Sequence, residues 1–170
     1  MHAAGDCVVD GPGVTDALCA QLAQALAARG WSLATAESCT GGMIAAACTA
    51  LSGSSVWFER GFVTYSNAAK SECLDVPAAL IDTHGAVSEP VARAMAAGAV
   101  QRSRAQVAVA VTGVAGPTGG SAAKPVGTVW FGWSVQGVVH SEMRHFPGDR
   151  AQVRAATVTH ALQRLLQLIG

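Results

Sequence analysis

A chain of 170 residues suits one domain built around one hydrophobic core and is short for two. Hydrophobic residues make up 51% of it and charged residues 13%, a balance that excludes an intrinsically disordered chain. Eleven Lys plus Arg offset eleven Asp plus Glu, so no global field draws the chain to nucleic acid or to an anionic membrane, and any anion must be held locally. No apolar run approaches the roughly 20 residues that cross a bilayer. Residues Met1 to Asp6 also lack the basic-then-apolar order of a signal peptide, which makes the cytoplasm the expected location. Cys7, Cys19, Cys39, Cys48 and Cys73 form an odd set without a CxxC pair, so reduced thiols are expected and a structural metal is not.

After a Gly/Pro-containing leader ending near Gly13, Thr15 is placed to cap a helix with the stripe Leu18, Leu22, Ala25 and Leu26, stopped by Gly30. Trp31 to Ala36 reads as a strand, Gly41 to Leu51 as an Ala-rich helix, Gly61 to Tyr65 as a second strand and Asn67 to Cys73 as a helix. Ser88-Glu89-Pro90 starts another helix running to about Arg104, with Ser as cap, Glu against the dipole and Pro in the first turn. Val107 to Val111 has the β-branched and Ala composition of a strand buried on both faces, hence central. Gly127 to Val135 and Val138 to Phe146 form a hairpin through Gln136-Gly137. The last helix opens near Gly148-Asp149 and carries Val158, Leu162, Leu165, Leu166 and Ile169 on one face. These elements predict an α/β fold: a three-layer α/β/α sandwich with a mixed, mainly parallel sheet and an antiparallel hairpin near the C-terminus.

Polar residues with small neighbours gather where the strands end, the usual ligand edge of an open α/β sheet. In Thr35-Ala36-Glu37-Ser38-Cys39-Thr40-Gly41-Gly42, Ser38 is either a nucleophile beside free helix-start N–H groups or a plain cap. In Thr64-Tyr65-Ser66-Asn67-Ala68-Ala69-Lys70 stand the chain's one tyrosine and one of its two lysines. A lysine whose pKa is lowered by burial activates a serine without histidine, so Ser38 and Lys70 are chemically sufficient, although a lysine alone is more often a solvated surface group. The segment Thr112 to Gly120 fits neither a P-loop nor GxGxxG. Ser121-Ala122-Ala123-Lys124 matches S-x-x-K formally, but its Gly and Pro neighbours make it a loop and a decoy. Cys39 near a helix start is a competing nucleophile, although a buried, inert thiol is the plainer reading. His84, His140, His145 and His160 sit in no motif with Ser38.

Ala36-Glu37-Ser38-Cys39-Thr40-Gly41-Gly42, Tyr65-Ser66-Asn67 with Lys70, Gly85 to Ser88, Thr112 to Pro117, Lys124 to Val129 and Phe146 to Arg150 together resemble the CinA C-terminal-domain family over nearly everything from Val14 onward. The resemblance implies a flexible leader at 1–13 and a single domain of this type at 14–170. It also implies hydrolysis of the carboxamide of nicotinamide mononucleotide (NMN) to ammonia and nicotinic acid mononucleotide, with no cofactor. Ser38 would attack, Lys70 would accept its proton, and Tyr65 would help position or return that proton. Cys39, Thr40, Gly41, Gly42, Asn67, Thr112, Gly113, Gly116 and Arg150 would bind substrate, with Arg150 against its phosphate. Alternatives are a non-catalytic nucleotide-binding regulatory module and an amidohydrolase of another pyridine carboxamide. A homodimer or larger homo-oligomer is expected, with Trp57, Phe58 and Trp133 placed in its contact or in the core.

Overall fold

A computed structural model describes residues 13–170. The leader expected over 1–13 thus falls outside the described residues apart from Gly13, and so does Cys7. The helices are α1 (Val14–Arg29), α2 (Met43–Ala50), α3 (Asn67–Leu74), α4 (Ala78–His84), α5 (Glu89–Gln101) and α6 (Arg150–Ile169). The strands are β1 (Leu33–Glu37), β2 (Phe58–Val63), β3 (Val107–Gly113), β4 (Thr128–Val135) and β5 (Val138–His145), in the order β2-β1-β3-β4-β5. β1 pairs parallel with β2 and β3, whereas β3–β4 and β4–β5 are antiparallel. The sheet is therefore mixed, with only β4 running against the other four. No helix among the described residues is long and apolar enough to cross a membrane.

Several local signals act as expected. Gly30 takes the left-handed conformation and returns its N–H to Ala27, Gln136 and Gly137 both adopt positive φ in the hairpin turn, and Asp149 forms a full capping box with Gln152. Others differ. α1 is preceded by Gly13 without a side-chain cap, not by Thr15. Ser88 stands at the N-cap of α5, but its hydroxyl donates to the Gly85 carbonyl at 2.8 Å. α5 ends at Gln101, short of Arg104. β1 starts later than Trp31 because the Ser32 backbone is engaged by Gln106, whose side chain accepts from Ser32 N–H at 2.9 Å. β2 lies earlier than expected and stops at Val63, and α4 was not foreseen.

The two sheet faces differ in side-chain size. Val107, Val109 and Val111 point to the cluster made with α1, α2 and α6, while Ala108 and Ala110 point to the one beneath α3, α4 and α5. The Ala face lets α5 approach closely. A Cβ on Gly132 of β4 would stand 2.3 Å from the Ala92 carbonyl oxygen of α5. Trp133 and Trp57 are buried in the core and Phe58 packs against it, so these aromatics belong to the interior.

The same closeness holds α3 against α5, since a Cβ on Gly98 would come 2.0 Å from the Leu74 carbonyl oxygen. Gly98→Ala is expected to destabilise the fold by about 1–3 kcal/mol through overpacking. The measurement is the urea midpoint, and an unchanged midpoint would refute this close seat.

Candidate active site

β1 leaves the sheet toward β2 on one side, whereas β3 leaves toward β4 on the other, so the carboxyl ends of β1 and β3 flank a crevice. Ser38 follows β1 directly. Its N–H donates to the Val111 carbonyl at 3.1 Å, and the Thr64 N–H donates to the Glu37 carbonyl at 2.9 Å, so the strand ends are tied together around it. The chain then turns through Gly41 and Gly42, both at positive φ, into α2.

Lys70 comes from the end of β2 by way of α3, whose N-cap Ser66 accepts the Ala69 N–H at 3.0 Å. Its side chain is buried, only 1% exposed. Nζ lies 3.0 Å from the Thr64 carbonyl oxygen, 3.4 Å from the Tyr65 carbonyl oxygen and 3.2 Å from Ser38 Oγ. A neutral amine has two N–H donors and one lone pair. As an ammonium Nζ donates to all three oxygens; once neutral, its two N–H groups go to the carbonyls and the lone pair is left for the serine hydroxyl. Burial lowers the Lys70 pKa from the ordinary lysine range because it disfavours the ammonium form.

A cavity of about 210 Å³ opens over this pair, lined by Ser38, Cys39, Tyr65, Asn67, Lys70, Ala86, Val87, Thr112, Gly113, Ala115 and Arg150. Its Ala86–Val87 wall is held from below, where Thr112 Oγ1 donates to the Ala86 carbonyl at 2.9 Å. Lys124 Nζ donates to the neighbouring His84 carbonyl at 2.8 Å. At the rim Arg150 donates to the Gly116 carbonyl at 2.9 Å and to the Tyr65 hydroxyl at 3.2 Å.

Residues 15–169 match the family model of the CinA C-terminal domain. The chain belongs to the CinA C-terminal-domain family. It is 52% identical to a protein of Escherichia coli (strain K12) named nicotinamide-nucleotide amidohydrolase PncC, over 86% of this chain and 90% of the relative. A protein of the same name from Pseudomonas putida is 60% identical over 79% of this chain and 84% of the relative. Among solved structures, the CinA superfamily protein of Escherichia coli superposes with a TM-score of 0.90 at 41% identity, covering 96% of this chain and 95% of that one. The competence/damage inducible protein CihA of Agrobacterium tumefaciens gives 0.89 at 47% identity, covering 92% and 96%.

Of the residues that the CinA resemblance singles out, Ser38, Lys70, Tyr65, Cys39, Asn67, Thr112, Gly113 and Arg150 meet at the cavity, and Thr40, Gly41, Gly42 and Gly116 do not line it. Thr40 is fully buried, with its hydroxyl donated to Glu37 Oε1 at 2.6 Å. Gly41 donates its N–H to the Ser38 carbonyl, Gly42 is the N-cap of α2, and Gly116 offers its carbonyl to Arg150. The first turn of α2 is not a free anion site either. The buried Glu37 carboxylate accepts from Ile44 N–H at 2.8 Å and from Ala45 N–H at 3.0 Å. Tyr65 touches Lys70 through its backbone carbonyl, while its hydroxyl is held by Arg150.

The competing groups are set aside by their surroundings. Burial pushes the Cys39 thiol up to about 12, so it stays protonated, packed toward Gly113. None of His84, His140, His145 and His160 lines the cavity. Ser121 to Lys124 is a loop in which Ser121 Oγ accepts the Lys124 backbone N–H, not its ammonium. Among the described residues, no group of three or more His, Cys, Asp or Glu is placed to hold a metal ion. Two residues given no role in the sequence prove central. Glu37 is a carboxylate inside an otherwise apolar strand, and Arg154 lies one helical turn beyond Arg150, on the same face. Those two patterns were the available signals.

The lowered Lys70 pKa has a stability consequence. Between its folded value and about 10.4, where an unfolded lysine titrates, the unfolded chain binds more protons, so stability rises with pH. Below the folded value the whole cost of the buried ammonium is present. Lys70→Met is therefore expected to be more stable relative to wild type at pH 7 than at pH 10, read from urea midpoints of both proteins. A difference independent of pH would show that Lys70 is not depressed.

Proposed function

We propose that this chain is a serine amidohydrolase that cleaves the carboxamide of NMN, releasing ammonia and nicotinic acid mononucleotide. The observation that carries the reading is the buried Lys70 amine, with Thr64 and Tyr65 carbonyls at its N–H positions and Ser38 Oγ 3.2 Å away. The names of the relatives at 52% and 60% identity support the substrate.

In this mechanism Ser38 Oγ attacks the carboxamide carbon while its proton passes to the neutral Lys70. The new oxyanion is met by the Gly113 N–H. Val111 faces β1 and Val114 donates across to Thr128 of β4, so strand alternation turns the Gly113 N–H toward β1, beside Ser38. Lys70 then gives its proton to the departing nitrogen, the C–N bond breaks, and an ester on Ser38 remains with free ammonia. Water attacks that ester, Lys70 takes one of its protons and returns it to Ser38 Oγ as the C–O bond breaks, and the acid product gives up its remaining proton to the released ammonia or to solvent and leaves as the carboxylate. Asn67 and Thr112 supply polar contacts, Tyr65 packs at the mouth, and Arg150 at the rim meets the phosphate.

The same reading carries a cytoplasmic site of action, since a charged mononucleotide does not cross a bilayer unaided. It also carries a homo-oligomer, for which the exposed apolar side chains Val56, Val63 and Tyr65 near the β2 edge offer a contact face.

Ammonia release from NMN by the purified protein, with chelator present, tests the assignment. Ser38→Ala is expected to lose at least about 10³-fold in kcat while remaining folded. The wild-type rate should rise with pH through the lowered Lys70 pKa, because the base works only when neutral. Full activity in Ser38→Ala would remove the nucleophile assignment, and binding of NMN without turnover would remove the reaction.

A further inference from the structure

Ser38 is fixed on three sides: its N–H on Val111, its carbonyl by the Gly41 N–H, its hydroxyl beside Lys70. The residues that follow, Cys39 to Gly42, belong to neither strand nor helix. Short-range main-chain bonds close this turn, Gly41 N–H on the Ser38 carbonyl and Met43 N–H on the Thr40 carbonyl, both at 3.1 Å, and its two glycines leave the backbone around them permissive. A side chain from the far end of the chain adds a clamp to that turn. Arg154, in the second turn of α6, donates through Nε to the Cys39 carbonyl and through Nη2 to the Thr40 carbonyl, both at 3.1 Å. A guanidinium is a planar fork, so one group takes two consecutive carbonyls in a fixed mutual orientation that an ammonium cannot impose.

The geometry has a direct link to the nucleophile. Within a planar trans peptide, the C=O of one residue and the N–H of the next point in opposite directions. Holding the Thr40 carbonyl therefore aims the Gly41 N–H, and that N–H is the donor to the Ser38 carbonyl at 3.1 Å. From the other side of the turn, Glu37 takes the Thr40 hydroxyl and the Ile44 and Ala45 N–H groups of α2. The turn is gripped by a cation on its carbonyls and by a carboxylate on its donors. Arg154 itself is not among the cavity-lining residues.

We propose that Arg154 is a positioning residue for Ser38: by fixing the peptide planes of Cys39 and Thr40 it keeps Oγ on the Lys70 lone pair. This rests on the reading of Ser38 and Lys70 as nucleophile and base, and it holds whichever amide is the substrate. A displacement of the order of 1 Å at a reacting atom costs about 10²-fold in rate. The role thus predicts a loss in kcat and not in substrate binding.

The test compares the full chain with Arg154→Lys, which keeps charge and stem but loses the fork, and with Arg154→Ala. Three quantities are read: thermal midpoint, kcat and KM for NMN, and the rate at which a small alkyl fluorophosphonate labels Ser38. In that labelling the Oγ–P bond forms, fluoride leaves and the serine proton goes to Lys70, so substrate recognition plays no part. In Arg154→Lys, kcat and the labelling rate are expected to fall together by about 10- to 100-fold. KM should stay within about twofold, and the pH midpoint of labelling should stay at the wild-type value because Lys70 is untouched. A labelling rate within about twofold of wild type overturns the proposal. So does a loss that merely follows the unfolded fraction, a rise in KM at constant kcat, or failure of Arg154→Lys to fold. If wild type is labelled but releases no ammonia from NMN, the substrate assignment fails while the labelling comparison still decides the role of Arg154. If wild type is not labelled at Ser38, the serine is not held for attack and the proposal falls with it.

Discussion

The structure is organised around one unfavourable act, the removal of a lysine amine from water. A buried ammonium is stabilised most simply by a carboxylate, yet a carboxylate beside Lys70 would hold it protonated. The residue immediately before Ser38 is such a carboxylate, and it is buried too. The fold keeps the two apart by using up the Glu37 oxygens on Thr40, Ile44 and Ala45, while Lys70 faces neutral carbonyls and a hydroxyl. Carbonyls satisfy N–H donors without adding net charge, so desolvation is left to set the direction of the pKa. Glu37 thus shapes the turn, while Lys70 is left beside the Ser38 hydroxyl.

Keeping Lys70 in that place falls to small residues far from the cavity. Alanines on one sheet face, with Gly132 in β4, bring α5 down onto the strands, and Gly98 then lets the end of α3 rest on α5. The larger valines on the opposite face fill the space beneath α1, α2 and α6. The uneven composition of β3, Val alternating with Ala, is the means by which one layer comes close enough to carry Lys70 and the other stands off far enough to hold the larger aliphatic and aromatic core.

Much of this was legible in the sequence, for identifiable reasons. The β-branched run of β3, the Gln136-Gly137 turn and the Asp149 cap are local signals, and the local chemistry decides them. The late start of β1 depends on Gln106, 74 residues distant, which no window of neighbours contains; the Ser88 hydroxyl turns to Gly85, only three residues back, where the residue types fit an N-cap equally well. α4 lacks a side-chain cap and spans seven residues, too few to show a periodicity. At the site, residue types announced Ser38 and Lys70. Main-chain partners did not, because any residue offers a carbonyl: nothing in the identity of Thr64 or Tyr65 says that its backbone will receive an amine. Thr40, Gly41 and Gly42 lay within a recognisable motif, yet the structure uses them to build the turn and not to line the cavity.

The two arginines of α6 also give the site an order of assembly. Arg150 and Arg154 reach the loops after β1, β2 and β3, all of which precede them in the chain, and Arg154 stands 115 residues beyond the Cys39 carbonyl that it holds. A ribosome delivers the serine, the lysine and the whole sheet before it delivers the helix that pins their loops. A nascent chain can therefore pair its strands while the valine face of the sheet and the turn after Ser38 both still wait for α6, and docking of that helix closes the core and clasps the turn in one event.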